Sequence, residues 1–200
     1  MHPVLCSSAR LELRELTVDD VDRVFAIYGS SEATEHLSFE PRSHEQVGQI
    51  VTRAVASATA VPRTEYALAV TDRASGRLCG FGRLALDPHQ PSGATIGFAL
   101  NSDWWGAGYG TETVRLLLHL GFDHLLLHRV WGARSPANSA SARVMTAVGM
   151  VEEGTIREHV RKGGRWRDSV VHAILDHEWA AVSAGPVCPS ARRTSGLGEQ

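Results

Sequence analysis

Cysteine is scarce, with only Cys6, Cys79 and Cys188 in 200 residues. An odd count, widely separated and without Cys-x-x-Cys spacing, supplies neither a disulfide framework nor a zinc site, and it suits a reducing cytosol. An excess of one charge is also lacking: twenty Lys and Arg stand against twenty-two Asp and Glu. The long-range attraction that draws nucleic-acid binders to phosphate is therefore absent at the level of the whole chain. No apolar run reaches the roughly 18 to 20 residues that span a bilayer, and the N-terminus shows no basic segment followed by an apolar stretch. The expectation is a cytoplasmic protein with no metal, nucleic-acid or membrane partner. Lysine is nearly missing: among the twenty basic residues only Lys162 is one, a bias that the codons of a GC-rich bacterial genome would produce.

What is present is an ordinary globular composition, 43% hydrophobic and 21% charged, at a length that suits one domain. That domain is expected over residues 1–184. From Gly185 onward Pro, Ser, Gly and Arg dominate, too little is apolar to offset the entropy of ordering, and disorder is expected. Residues 10–16 alternate polar and apolar as a half-buried strand does, and Thr17 with Asp20 three positions on resembles a capped helix start. That helix is expected to run to Tyr28, before Gly29. A loop follows at 35–41, and a second helix starts near Ser43, carrying Val47, Ile50, Val51, Ala54 and Val55 at helical spacing. Residues 65–71, 78–86 and 94–100 read as three consecutive antiparallel strands separated by turn residues. A Gly-rich turn then opens a helix with Val114, Leu117, Leu118, Gly121 and Phe122 on one face. After a short strand at 129–133, residues 137–148 read as a helix closed by Gly149. Residues 151–160 and 166–175 flank Lys162-Gly163-Gly164 as a closing hairpin, with 177–184 as its exit. The fold class is α/β, a mixed sheet flanked by about four helices, without internal repeats.

The chemistry concentrates at Trp105-Gly106-Ala107-Gly108-Tyr109-Gly110. A strand entering a Gly-rich turn and then a helix aims several backbone N–H groups at one place, where the helix dipole favours an anion. Glycines there admit close approach and positive φ, and they serve a tight turn and close helix packing equally well. A Walker loop would need Gly-Lys-Ser/Thr, whereas this turn ends Gly110-Thr111. A dinucleotide fingerprint would want glycine at 111 and an acidic residue closing the next strand, where Ala133-Arg134 stands. His119, His124 and His128 lie five and nine residues apart, not at the three-and-four spacing that stacks ligands on a helix. Trp104 and Trp105 suit core anchoring or the wall of a pocket.

Taken together, Ile96-Gly97-Phe98-Ala99-Leu100, Trp104 through Glu112, Asn138-Ser139-Ala140-Ser141, Arg143-Val144, Gly149-Met150 and Glu153-Gly154 resemble the GNAT acetyltransferases, specifically their RimJ/RimL-like branch. The likeness runs from Leu11 to the terminal hairpin with Trp166 and Asp168. It departs from the Arg/Gln-x-x-Gly-x-Gly/Ala pattern at the first position, where Trp105 stands, while Gly108 and Gly110 fall in register. The resemblance implies a sheet splayed beside the strand ending in Phe98, Ala99 and Leu100, whose backbone pairs with the pantetheine of acetyl-CoA. It also implies a pyrophosphate resting on Gly106, Ala107, Gly108, Tyr109, Gly110 and Thr111, with Asn138 contacting pantetheine and Arg143 near the 3′-phosphate. Ser141 would protonate the departing thiolate. Glu158 or His159, Glu35 or His36, or water would serve as base; Glu158 is the residue expected here. The acceptor is a primary amine on a protein N-terminus or a small molecule, and a homodimer fits the family. A non-catalytic coenzyme A sensor and another acyl donor such as succinyl-CoA stay open as alternatives.

Overall fold

The 10–16 alternation forms strand β2 (Leu11–Glu15), with Leu11 and Leu13 fully buried and Glu12 and Arg14 turned outward. In the computed structural model, which describes residues 3–182, β2 belongs to an eight-stranded sheet. The other strands are β1 (Leu5–Ser7), β3 (Glu65–Asp72), β4 (Leu78–Leu86), β5 (Gly93–Leu100), β6 (Arg129–Arg134), β7 (Val151–Lys162) and β8 (Arg165–Leu175). Their spatial order is β1-β2-β3-β4-β5-β6-β8-β7. Every pairing is antiparallel except β5 with β6.

Four helices of eight or more residues flank the sheet: α1 (Val21–Tyr28), α3 (His44–Ala58), α4 (Tyr109–His119) and α5 (Ser139–Ala147). Of two short ones, α2 (Ser31–Thr34) lies just before the loop expected at 35–41, and α6 (Asp176–Val182) falls where a hairpin exit was expected. Strand β1 was not legible, because three residues are too few to show a period. The caps match their residue types. Ser43 and Gln46 close a capping box on α3, and Asp20 accepts from the Thr17 amide while pairing with Arg14 at 2.7 Å. Gly149 ends α5 at φ +90°, and Gly163 and Gly164 turn the β7–β8 hairpin at φ +58° and +74°. The expected disordered tail and Cys188 lie outside the described residues.

Alternation along the strands divides the core into two layers. On the α4 and α5 side Leu84, Ile96, Leu117, Val130 and Ile174 pack together; on the α1 and α3 side Ile27, Val51, Ala67, Phe81 and Ala99 do so. Between β5 and β6 the sheet opens. Their parallel ladder joins Gly93, Ala94 and Thr95 to Arg129, Val130 and Trp131 and stops there, while β5 stays paired to β4 up to Leu100. The β6-facing edge of Ile96–Leu100 is thus outside the ladder.

Candidate functional site

The open edge of β5 leads through a 3-10 turn (Ser102–Trp104) into the glycine turn. Gly106 and Gly108 take φ +79° and +84°, the left-handed region that other residues enter only at a cost, and Gly108 is the N-cap of α4. The first amide of this region to meet a carbonyl is that of Glu112, which bonds Gly108 O. Among the described residues the amides of Gly106 through Thr111 have no acceptor. Six backbone donors therefore gather at the positive end of an 11-residue helix. Gly110 has a different use. A Cβ there would come within 3.2 Å of Val144 and 3.7 Å of Phe98, so its bareness lets α4 lie against α5 and β5.

A polar anchor behind the turn holds it in place, and sequence reasoning missed it. The Glu112 carboxylate accepts from the Ser8 hydroxyl, from the Arg10 amide at 3.0 Å and from the Arg10 guanidinium at 2.8 Å. Arg10 also donates to Ala107 O at 2.9 Å and lies over the Tyr109 ring. Burial raises the Glu112 carboxyl, but these donors outweigh it and hold the group below its ordinary value. The partners stand about a hundred positions apart in sequence, so no local pattern could show them. Trp105 turns its indole N–H onto Leu100 O at 3.0 Å and is 47% exposed, so it is no core anchor; Trp104 packs partly buried, edge-on to Tyr109.

On α5, Asn138 caps the helix, its Oδ1 accepting from the Ser141 amide at 2.9 Å. Ser141 precedes Val144 by three residues and so shares the face that meets Gly110. Arg143 lies on the exposed side of α5, with Ser139 Oγ 3.4 Å from its guanidinium.

The remaining candidates come from the other side of the splay. Glu158, exposed at φ +49°, sits where β7 slips register against β8, and its amide donates to Asp168 Oδ1 at 2.8 Å. The neighbouring hairpin end grips the loop after α2. Lys162 Nζ donates to Thr34 O at 2.5 Å and Glu35 O at 2.8 Å, Gly163 N to Glu40 Oε1, and Arg167 to His36 O at 3.3 Å. Glu35 and His36 are thus held against the hairpin through their carbonyls, while Glu158 is tied to Asp168 and His159 is exposed next to it. The three histidines at and beyond the end of α4 serve locally: His119 pairs with Asp123, His124 packs on His119, and His128 lies 3.2 Å from Asp176.

Comparison with known proteins gives the family and the fold. The chain is 26% identical over 175 residues to the uncharacterized N-acetyltransferase p20 of Bacillus licheniformis, covering 86% of this chain and 96% of the relative. It is 37% identical over 84 residues to the uncharacterized N-acetyltransferase YnaD of Bacillus subtilis, a match that spans about half of that relative's length (49%) and 42% of this chain. An acetyltransferase structure from Bacillus anthracis shares the fold at a TM-score of 0.77 and 22% identity, covering 87% of this chain and 99% of the other. Mycobacterium smegmatis RimJ, solved with CoA-disulfide, does so at 0.75 and 20%, covering 90% and 97%. Residues 10–151 match the family model of the acetyltransferase (GNAT) domain, and the chain belongs to that family.

Proposed function

We propose that the chain transfers an acetyl group from acetyl-CoA to a primary amine, on a protein N-terminus or a small molecule, by direct attack in a ternary complex. The observation that carries this reading is the set of unpartnered amides from Gly106 to Thr111, beside a strand whose outer edge lies outside the β6 ladder and is met at Leu100 O by the Trp105 indole. Those amides hold the diphosphate, and the backbone of Phe98, Ala99 and Leu100 aligns the pantetheine arm. The thioester supplies an acyl carbon open to attack and a thiolate that can leave. Asn138 has a side-chain amide to offer the arm after its oxygen has capped α5. The Ser141 hydroxyl delivers a proton to the sulfur, and Glu158 takes one from the amine. Arg143 is assigned to the 3′-phosphate; of the cofactor contacts it has the least geometric support.

The test is acetyl-CoA turnover against a panel of amines, read as free thiol, with acetyl-CoA affinity measured in parallel by calorimetry. Thiol release with one or more amines is expected. Tight acetyl-CoA binding without release on any amine would make the chain a coenzyme A binding module, and preference for succinyl-CoA in donor competition would change the acyl group.

A further inference from the structure

A cavity of about 350 Å³ lies over β3 and β4 on the α1 and α3 side of the sheet, opposite the layer that holds α4 and α5. Its lining includes Tyr28, Ile50, Arg53, Glu65, Phe81 and Arg83. Two of these sit beside the open strand: Phe81 pairs with Ala99 and Arg83 with Gly97 across the β4–β5 ladder. Gly97 is exposed, and a Cβ built on it would meet nothing within 4 Å. Directly paired residues in a sheet project to the same face, so the cavity continues into free space over the strand that the proposed function assigns to the thioester.

Two groups in the lining lack partners. Tyr28 is only 8% exposed and lines the cavity; its hydroxyl makes no hydrogen bond among the described residues, but the oxygen is not sealed from solvent. Burial pushes this phenol's pKa up, so it remains a hydrogen-bond donor at neutral pH. Arg53 makes no hydrogen bond or ion pair among the described residues, whereas Arg83 is already bonded to Glu65 at 2.5 Å. Two guanidiniums against one carboxylate leave the lining with a positive excess, placed at Arg53. Phe81 and Ile50 provide apolar surface next to it.

We propose that this cavity seats the acceptor, and that the acceptor is a small amine carrying a carboxylate beside an apolar group. Arg53 binds the carboxylate, Tyr28 donates to a polar atom of the same molecule, and the nitrogen is left toward Gly97. The volume suits a molecule of amino-acid size. This assignment rests on the acetyltransfer reading above, but the occupancy of the cavity can be measured without any acyl donor.

The probes are N-acetyl-L-phenylalanine and N-acetylphenethylamine, which differ only in the carboxylate. Each is titrated calorimetrically into the wild-type chain, into Arg53→Ala and into Arg53→Lys; Arg53 is exposed, so both variants keep the fold. The expected result is a preference of roughly tenfold or more for the carboxylate in the wild type. That preference should vanish in Arg53→Ala and return in part in Arg53→Lys. Equal affinity for the two probes, a preference that survives Arg53→Ala, or no binding of either at millimolar concentration would overturn the proposal. A separate acetyl-CoA titration of the wild type isolates the other failure: absent donor binding would sink the acetyltransfer reading, while a carboxylate preference dependent on Arg53 would still establish the cavity.

Discussion

Gly108 combines two demands, a left-handed backbone and nearness to the donor groups of its neighbours. Gly108→Glu is predicted to abolish acetyl-CoA binding by calorimetry, because it brings a carboxylate to the place assigned to the diphosphate. The strained φ should cost only about 1–2 kcal/mol, leaving the far-UV circular dichroism unchanged. Undiminished affinity in a folded variant would remove this turn as the cradle. Ser141 and Asn138 invite opposite predictions, although both belong to one cap. Ser141→Ala should lower kcat by roughly 100-fold with the KM for acetyl-CoA little changed, since proton delivery to the leaving sulfur belongs to the transition state. Asn138→Ala should instead cost about 1 kcal/mol of stability through the lost cap, seen as a lower thermal midpoint. Full turnover by Ser141→Ala would take that serine out of the mechanism.

Helix α4 shows how an element is placed by groups that its own sequence does not announce. Its glycines and apolar face were legible, because a 3.6-residue period and a left-handed turn are local properties. Its attachment through Glu112 to Ser8 and Arg10 was not, since that contact exists only once β1 and β2 have folded beside the helix. The same division holds elsewhere: α3 could be read from its period and the three middle strands from β-rich runs between turn residues, while the parallel β5–β6 step and its early end depend on which strands become neighbours. The Glu112 anchor carries a pH signature. Its pKa is lower in the folded chain than the ordinary 4.5, so the stabilisation is complete above that value and fades as pH falls through the folded one. Glu112→Gln is therefore predicted to unfold at a lower temperature than wild type at neutral pH. The gap between the two midpoints should shrink between about pH 5 and pH 3 as the wild-type carboxylate is protonated. A gap of constant size across that range would show that the charge on Glu112 does not hold the turn.

At the scale of the whole molecule, the two sides of the proposed reaction are held by separate parts of the chain. The donor side is one continuous run from β5 through the glycine turn to α5. The side bearing Glu158 is assembled from ends: the loop after α2 and the β7–β8 hairpin lie more than a hundred residues apart and are joined by Lys162, Gly163 and Arg167. Lys162 is the central tie, with its ammonium bonded to two main-chain carbonyls, and burial lowers its pKa. Replacing it with methionine keeps the aliphatic stem and removes the donor, leaving the Thr34 and Glu35 carbonyls without that partner. A loss on the order of 1.5–3 kcal/mol follows for a charge-assisted bond of this kind, lowering the thermal midpoint by several degrees. The kinetic consequence should be one-sided. Lys162→Met should raise KM for the amine several-fold while KM for acetyl-CoA stays near wild type, because the bonds of Lys162 go to the Thr34 and Glu35 carbonyls and not to the glycine turn. Lys162 is the chain's one lysine, so reductive methylation of the wild type should modify it more slowly than it does the α-amino group. Equal rates of methylation, or a rise in KM for acetyl-CoA matching that for the amine, would show that the hairpin and loop do not form a unit distinct from the donor side.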